Sequence, residues 1–329
     1  MSSKKTNLLL APSGDHPLTA LLLLLAGVIL LALQDSLIKF ISDSTSFWQI
    51  QTLRSAGNMA LIICLAMLSG GVHLICPQRR LAVAARSLVM VFCMFCFFSA
   101  SPFLSVAQMA AGLYTYPLFV SLLAAPLLGE KVGKWRIGAL IIGATGALFM
   151  LNPLAETFSV AQLLPIAAGF FYACNIIILR RYCRGETPLA LTFANGVIFF
   201  LSGFAGIVLL SIAPLSTDLQ SAMPFVAIGW PMIGLSIIGF AALCSVLNLF
   251  GNLGLTRAYQ TADSSWLAPL DFSYLLFAAI WGKVIFDSWP TANSWLGMLL
   301  ITIAGMITAW RERGQNSKTK PPKTITERA

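Results

Sequence analysis

Long apolar runs recur along the whole chain, and they constrain the fold more than any other feature. Residues 21–33 and 138–151 are apolar without alternation. Charged residues make up 10% of the 329 residues, against roughly 25% in soluble domains, and the mean hydropathy is +0.83. One water-soluble core cannot hide this much apolar surface. The sequence therefore predicts a protein embedded in a bilayer.

The apolar runs predict helices, because a transmembrane helix needs about 20 apolar residues and barrel strands would alternate in polarity. The predicted fold is an all-α polytopic membrane protein with ten transmembrane helices. Their predicted bounds are 18–40, 47–69, 81–101, 106–128, 135–151, 161–179, 189–212, 226–249, 262–282 and 295–310.

The basic residues predict the orientation of these helices. With the N-terminus inside, 18 of the 21 Lys and Arg residues fall in cytoplasmic segments, which is the positive-inside bias of inner-membrane proteins. They are Lys4, Lys5, Arg79, Arg80, Arg86, Lys131, Lys134, Arg136, Arg180, Arg181, Arg184, Arg257, Arg311, Arg313, Lys318, Lys320, Lys323 and Arg328. Both termini are thus expected in the cytoplasm. Because topology and attraction to anionic lipid explain the +9 net charge, a nucleic-acid partner is not expected.

A weak internal repeat divides the chain into two halves. PLFVSLLAAPLLGE at 117–130 matches LDFSYLLFAAIWGK at 270–283, and the glycine pair Gly138 and Gly146 keeps its spacing in Gly297 and Gly305. Five helices in each half, an odd number, would place the second copy upside down. Coincidental similarity remains the alternative.

The predicted organisation follows from this inverted five-plus-five repeat. It comprises a cytoplasmic N-terminal segment (1–17), a first five-helix repeat (18–152), a second, inverted repeat (160–312) and a basic disordered tail (313–329). An inverted repeat places a substrate site near the midplane, where the halves meet.

Two prolines interrupt helices at corresponding places in the halves. Pro117 lies midway along the fourth span and Pro269 midway along the ninth. Each removes a backbone N–H and frees the carbonyl four residues earlier, at Leu113 and Ser265. Interrupted helices of this kind predict a binding site, and a simple packing kink is the alternative.

Ionisable residues inside the spans are Asp35, Lys39, Arg54 and Asp271, with Asp263 near a helix end. Each costs about 2.5–3.5 kcal/mol at a helix centre, so it is a functional-site hypothesis by default. Asp35 and Lys39 are four apart and share a helix face. A network of Lys39, Asp35 and Arg54 is therefore expected, either in the site or as a structural tie between the first two spans.

Asp271 lies near the centre of its span, two residues after Pro269 and without an opposite charge within one turn. Its partner could be Arg54, Arg257, a bound cation or a proton on the carboxyl itself. The last option would allow proton coupling.

Uncharged polar residues complete the predicted site. Tyr114, Tyr116, Asn175, Asn248 and Asn252 lie in or near the spans, where they can bond a polar solute or tie helices together. The substrate-binding candidates are Asp35, Lys39, Arg54, Tyr114, Tyr116, Pro117, Asn175, Asn248, Pro269 and Asp271.

The chain lacks the motifs of several other functions. Gly133-Lys134 is followed by Trp135, so it is not a phosphate-binding loop. His16 and His73 fall outside the predicted spans, and no His accompanies Cys93 and Cys96. No cofactor and no metal are therefore expected.

Short motifs follow one another in a characteristic order between about residues 18 and 312. They are DSLIK (35–39), QIQTLR (49–54), RSLVM (86–90), YPLF (116–119), LGEKVG (128–133), RR (180–181), WP (230–231), RAY (257–259), APLD (268–271) and RE (311–312). In this order they resemble the EamA-type transporters of the drug/metabolite transporter superfamily.

The resemblance implies a ten-helix inverted-repeat fold with a polar central cavity for a small metabolite. The substrate would be amino-acid-like, riboflavin-like, S-adenosylmethionine-like or like an opine-type metallophore. The direction of transport differs among such proteins. One departure is Lys283 after Gly282, where the first half has Glu130 after Gly129, and this puts a gating carboxylate there in doubt.

The expected function is secondary transport of a small polar or zwitterionic metabolite across the inner membrane by alternating access. Proton coupling and exchange both stay open. A passive channel is one alternative, and an intramembrane enzyme with Asp35 and Asp271 as an acid dyad is another. The dyad would require the two carboxyls within hydrogen-bond reach.

Overall fold

The computed structural model describes residues 17–128, 134–151, 160–183, 185–261 and 264–316, and within these ranges the chain forms helices and no strands. The α-helices are α1 (Pro17–Phe40), α2 (Phe47–Ser69), α3 (Arg80–Ser99), α4 (Val106–Leu113), α5 (Tyr116–Leu128), α6 (Lys134–Leu151), α7 (Leu164–Tyr182), α8 (Pro188–Ile212), α9 (Thr217–Ala222), α10 (Pro224–Ala227), α11 (Leu235–Thr261), α12 (Ser264–Asp271), α13 (Ser273–Phe286) and α14 (Ala292–Asn316).

Eight helical segments in the described ranges are long and apolar enough to cross a membrane, and two of them are Val106–Leu123 and Pro269–Phe286. Ile137–Leu151 and Ala292–Thr308 are shorter apolar helices. Large apolar side chains such as Leu209 and Val284 remain 65% and 66% exposed. Since water would not tolerate so many of them, these faces are suited to lipid. The protein is a multi-pass membrane protein.

The predicted eighth span, 226–249, is displaced along the chain, because the long helix begins nine residues later and ends twelve residues later than predicted. The short helix α10 ends at Ala227, and the long helix α11 begins only at Leu235 and continues to Thr261. Gly229, Pro231 and Gly234 lie between the two, where glycine and proline disfavour a helix. The site candidate Asn248 therefore lies in the middle of α11 rather than at a span end.

Other predicted boundaries differ less. Helix α14 extends to Asn316, so the first residues of the predicted tail at 313–329 are helical. Residues 1–16, Glu130 and Asp263 lie outside the described ranges, and the expectations about them stay expectations.

Helix packing joins the two halves of the sequence closely. The most extensive pairs are α6 with α14, α1 with α11, α3 with α7, and α2 with α8. Each pair takes one helix from each half. Exchanging the halves maps α6–α14 and α2–α8 onto themselves and interchanges α1–α11 with α3–α7. This exchange symmetry is the arrangement expected of two related copies.

Glycine allows two of these pairs to approach closely. A Cβ on Gly146 of α6 would lie 2.9 Å from the carbonyl oxygen of Gly297, and one on Gly297 would lie 2.7 Å from that of Gly146. In the pair α1–α11, a Cβ on Gly27 would lie 2.7 Å from the Gly251 oxygen. Small residues drive helix association in lipid, where the hydrophobic effect does not.

Candidate functional site

Two interrupted helices lie at the centre of the bundle. Helix α4 ends at Leu113 and α5 begins at Tyr116, while α12 ends at Asp271 and α13 begins at Ser273. Pro117 is the second residue of α5, where its missing N–H removes no helical hydrogen bond, and Pro269 lies within the last turn of α12. The breaks therefore fall before one proline and after the other.

The first break is fixed by packing as well as by proline. The Thr115 hydroxyl donates to the Gly112 carbonyl at 2.7 Å. Gly169 of α7 lies against the same turn, since a Cβ there would be 3.0 Å from the oxygens of both Gly112 and Leu113. The Leu113 carbonyl, which Pro117 leaves without its helical donor, thus faces the backbone of α7.

A cavity of about 470 Å³ lies beside the two breaks, and residues from both halves line it. This volume is within the range of small-molecule sites, roughly 300–1,000 Å³. Its polar and ionisable lining consists of Gln34, Asp35, Arg54, Ser55, Asn58, Arg86, Tyr114, Tyr116, Tyr172, Thr192, Asn195, Asn248, Asn252, Thr256, Asp271 and Tyr274.

Six of the ten site candidates line this cavity: Asp35, Arg54, Tyr114, Tyr116, Asn248 and Asp271. Lys39, Pro117, Asn175 and Pro269 are not part of its lining. Asn175 is buried in α7 at 4% exposure. The two prolines shape the helices that carry Tyr116 and Asp271.

Asp35 is held in place by hydrogen bonds. The Tyr274 hydroxyl donates to its Oδ2, and Gln34 Nε2 donates to its Oδ1 at 2.8 Å. Since Tyr274 belongs to the second half of the chain and Asp35 to the first, this carboxylate joins the two halves.

The predicted network of Lys39, Asp35 and Arg54 is not formed by direct contacts, since among the described residues no hydrogen bond or ion pair joins these three. Lys39 Nζ donates instead to the carbonyl oxygens of Ser101 and Leu104, at 2.5 Å each. Both carbonyls lie in the turn between α3 and α4, where they have no helical donor and can accept from a cation. Arg54 Nη2 donates to Gln51 Oε1 at 2.8 Å.

Asp271 is bonded through its backbone. Its carbonyl oxygen accepts from the Tyr114 hydroxyl at 3.1 Å. Its carboxyl lines the cavity and has neither a hydrogen bond nor an ion pair within the described ranges. The side chain is half-buried, so it is a carboxyl that a solute in the cavity can reach.

Four tyrosines form one wall of the cavity. The Tyr114 ring stacks on Tyr274 with centroids 5.3 Å apart and an interplanar angle of 16°. Tyr116 contacts Tyr114 at 5.8 Å and Tyr172 at 4.8 Å. These rings give the cavity an apolar face with hydroxyl groups at its edges.

Sequence reasoning missed Tyr172, Tyr274 and Arg86. Arg86 was counted among the basic loop residues, yet it lies six residues inside α3 and lines the cavity. The rule that singled out Arg54, an ionisable residue within a span, applies equally to Arg86. Tyr274 lacks such a local signal, because its partner Asp35 is 239 positions away.

The cavity extends towards one end of the bundle. Leu179 and Thr256 near the ends of their helices and Pro188 at the start of α8 line it, and the basic residues Arg79 and Arg80 lie at this same end. Beyond Asp35, the opposite end is filled by a packed cluster that includes the almost fully buried Phe47, Phe97, Phe98 and Phe225. The structure is closed at that end.

Contacts near the packed cluster join the start of α2 to α10 and to the segment that follows it. The Ser46 hydroxyl donates to the Gly229 carbonyl at 2.7 Å, and Trp48 Nε1 donates to that of Val226 at 2.8 Å. Gln49 Nε2 donates to the Pro231 carbonyl at 3.0 Å. The segment that was predicted to be helical therefore has its own role in closing this end.

These features define a class: a multi-pass helical membrane protein with a polar cavity between two halves of the chain. Residues 18–152 match the EamA-like transporter family. The chain belongs to this family.

Known proteins with similar sequences are named as transporters or exporters. Two riboflavin transporters are 29% identical over 212 residues (Vibrio cholerae) and 30% identical over 216 residues (Brucella anthropi). Each match covers 63% of this chain, and the matches span 63% and 68% of those relatives' own length. The pseudopaline exporter CntI of Pseudomonas aeruginosa is 24% identical over 300 residues, covering 89% of this chain and 99% of its own.

A solved crystal structure shares the fold. It has a TM-score of 0.57 and 17% sequence identity, and the match covers 87% of this chain and 96% of the other. At this identity the likeness concerns the fold alone.

Proposed function

We propose that this protein is a secondary transporter that moves a small polar or zwitterionic metabolite across the inner membrane by alternating access. The observation that carries the proposal is the cavity between the two halves, into which the carboxyl of Asp271 projects without a partner among the described residues. Binding energy for a polar solute can come from such a carboxyl, from the tyrosine hydroxyls and from the amides of Asn58 and Asn248.

The proposed topology is ten spans in two inverted five-helix repeats with both termini in the cytoplasm. The exchange symmetry of the helix packing supports the repeat, and the basic residues at one end of the bundle support the orientation. The closed opposite end then faces outside. Under alternating access, this structure corresponds to a state whose cavity extends towards the cytoplasm.

Coupling to a proton through Asp271, or exchange of one solute for another, would drive the transport. A half-buried carboxyl without a fixed cation can gain or lose a proton as a solute enters. The rival acid dyad has less support, because Asp35 is already bonded to Tyr274 and Gln34 and forms no hydrogen bond with Asp271.

Exchange in liposomes tests the proposal. Vesicles containing the purified full-length protein are loaded with riboflavin, riboflavin 5′-phosphate, S-adenosylmethionine, tryptamine and the proteinogenic amino acids. Mass spectrometry then follows which of them leave when the same mixture is supplied outside. We expect a small set to exchange saturably and with counterflow, which a passive channel would not give. No difference from protein-free vesicles, with folded protein, would overturn the proposal.

A further inference from the structure

Arg86 has one weak hydrogen bond and a buried nitrogen without a partner within the described residues. It lies in α3, and its half-buried side chain lines the cavity. Its Nη1 donates to Asn195 Oδ1 over a long 3.5 Å, and its Nε is buried without a partner. Within the described residues no carboxylate forms an ion pair with it.

Arg54 also lines the cavity with one side-chain hydrogen bond, but that bond is short and no Arg54 nitrogen is among the buried unpaired atoms of the described residues. Arg54 is 6% exposed, and its Nη2 makes a 2.8 Å bond to Gln51. Lys39 is likewise bonded to two backbone carbonyls. A guanidinium carries five N–H donors in a planar fork that matches carboxylate and phosphate oxygens. Among the described residues, Arg86 has one hydrogen bond for these five donors, and its side chain lines the cavity.

Arg86 shares the cavity with an acidic residue and with the four tyrosines. Tyr172, Arg86 and Asp271 all line the same cavity. Tyr172 in turn contacts Tyr116, which contacts Tyr114. The tyrosine wall therefore lies in the same cavity as a base on α3 and an acid at the end of α12.

We propose that Arg86 binds an oxyanion, carboxylate or phosphate, of the transported molecule, and that Asn195 orients its guanidinium. This inference rests on the proposed function and narrows the substrate to a molecule with an anionic group. The Asp271 carboxyl, in the lining of the same cavity, is then placed for a cationic or hydrogen-donating group of that molecule.

The mixture described above contains two matched pairs that separate the two oxyanions. Tryptophan and tryptamine differ by a carboxylate, and the two flavins differ by a phosphate. The exchange assay is repeated with Arg86→Gln and Arg86→Lys. Arg80→Gln serves as the control, because it removes a positive charge from an exposed position on the same helix.

We expect Arg86→Gln to lower exchange of the compounds that carry the recognised carboxylate or phosphate by about tenfold or more. The reason is that the substitution removes one partner of a charge pair. Any compound without that group that the unmodified chain exchanges should still be exchanged by Arg86→Gln. Arg86→Lys should recover part of the loss, since it keeps the charge but not the fork, and Arg80→Gln should behave as the unmodified chain. The pair that responds identifies the oxyanion.

A second measurement leaves Arg86 in place. Thr192 lines the cavity one helical turn before Asn195, so Thr192→Cys introduces a thiol on the same helix face. Reaction with 2-sulfonatoethyl methanethiosulfonate would tether a sulfonate near Arg86, and methyl methanethiosulfonate would add a neutral group. We expect the sulfonate to reduce anion exchange about tenfold more than the methyl group does. The unmodified chain, treated identically, controls for Cys64 and Cys76, which are exposed.

The outcomes separate this inference from the proposed function. No exchange by the unmodified chain would remove the proposed function and this inference with it. Normal exchange of anionic compounds by folded Arg86→Gln would overturn the role of Arg86 alone. Equal loss of all compounds in both Arg86 variants, together with equal effects of the two thiol reagents, would also overturn it, because neither result would depend on charge.

Discussion

Asp35 and Asp271 line the same cavity but differ in how their carboxyls are bonded. Asp35 accepts hydrogen bonds from Tyr274 and Gln34, whereas the Asp271 carboxyl has no such partner in the described part of the chain and only its backbone is bonded, to Tyr114. Both residues are half-buried. The same residue type thus joins two halves in one place and is available to a solute in the other.

The difference shows that an acid within a span can have more than one role. A carboxylate that already accepts two hydrogen bonds has less capacity for a new ligand, while one without partners is unfavourable until a ligand, water or proton satisfies it. We therefore expect changes at Asp271 to affect transport, and changes around Asp35 to affect stability first.

The largest effect is expected for Asp271→Asn. The amide keeps the size and removes the charge, so exchange should fall about 30-fold or more, which corresponds to about 2 kcal/mol. Thermal stability, measured in detergent, should change little. Asp287→Asn, at an exposed carboxyl, is the control. Undiminished accumulation driven by a proton gradient in Asp271→Asn would contradict the proton-coupling proposal.

Tyr274→Phe should lower stability, whereas Asp271→Asn should lower exchange and leave stability nearly unchanged. Loss of the hydroxyl removes the donor to Asp35 and leaves part of its carboxylate unsatisfied, at a cost of about 1–3 kcal/mol in the free energy of unfolding. The melting temperature of the purified protein measures this. Tyr182→Phe, at a ring that is 45% exposed, provides the matched control. If both variants had the melting temperature of the unmodified chain, the bond between Tyr274 and Asp35 would not stabilise the contact between the two halves.

A double-mutant cycle on Lys39→Met and Asp35→Asn tests whether these residues interact. Since Lys39 bonds the Ser101 and Leu104 carbonyls, we expect the two changes to add, with a coupling below about 0.5 kcal/mol. Lys39→Met alone should cost about 1 kcal/mol for two interhelical bonds. A coupling energy well above that limit would show that Lys39 and Asp35 interact, as the sequence predicted.

The smallest effect is expected at the surface, where Lys283 donates to Asp287 Oδ1 at 2.6 Å. This bond lowers the pKa of Asp287 below its ordinary value. The interaction is therefore present at neutral pH and is lost as pH falls through that lowered pKa. Lys283→Met should raise the pKa of Asp287 without changing exchange, as an NMR titration of labelled aspartate would show. An unchanged pKa would contradict the bond.

Much of the membrane organisation could be predicted from local sequence. Apolar length predicted helices close to α1, α2, α3 and α8, because each must present a lipid-compatible surface along about 20 residues. The same signal failed at 226–249. There the apolar run continues through Gly229 and Pro231, which interrupt the helix without making the sequence polar.

The site could be predicted where a single residue is unusual in a membrane span. Intramembrane charge indicated Asp35, Arg54 and Asp271, which line the cavity. Lys39 shares a helix face with Asp35 but bonds to carbonyls of another segment, and Arg86 lies close enough to the start of α3 to resemble a loop residue. A helix face shows which residues can meet on that helix, and it carries no information about the carbonyls of another.

The sequence by itself determined that this chain is a helical membrane protein and which ionisable residues it places in the membrane. Those properties follow from residue composition and spacing along each helix. Only the tertiary structure decided that Tyr274 holds Asp35, that Lys39 bonds the turn after α3, and that Arg86 and Asp271 line one cavity. These contacts join residues distant in the chain, and they depend on how helices from both halves pack together.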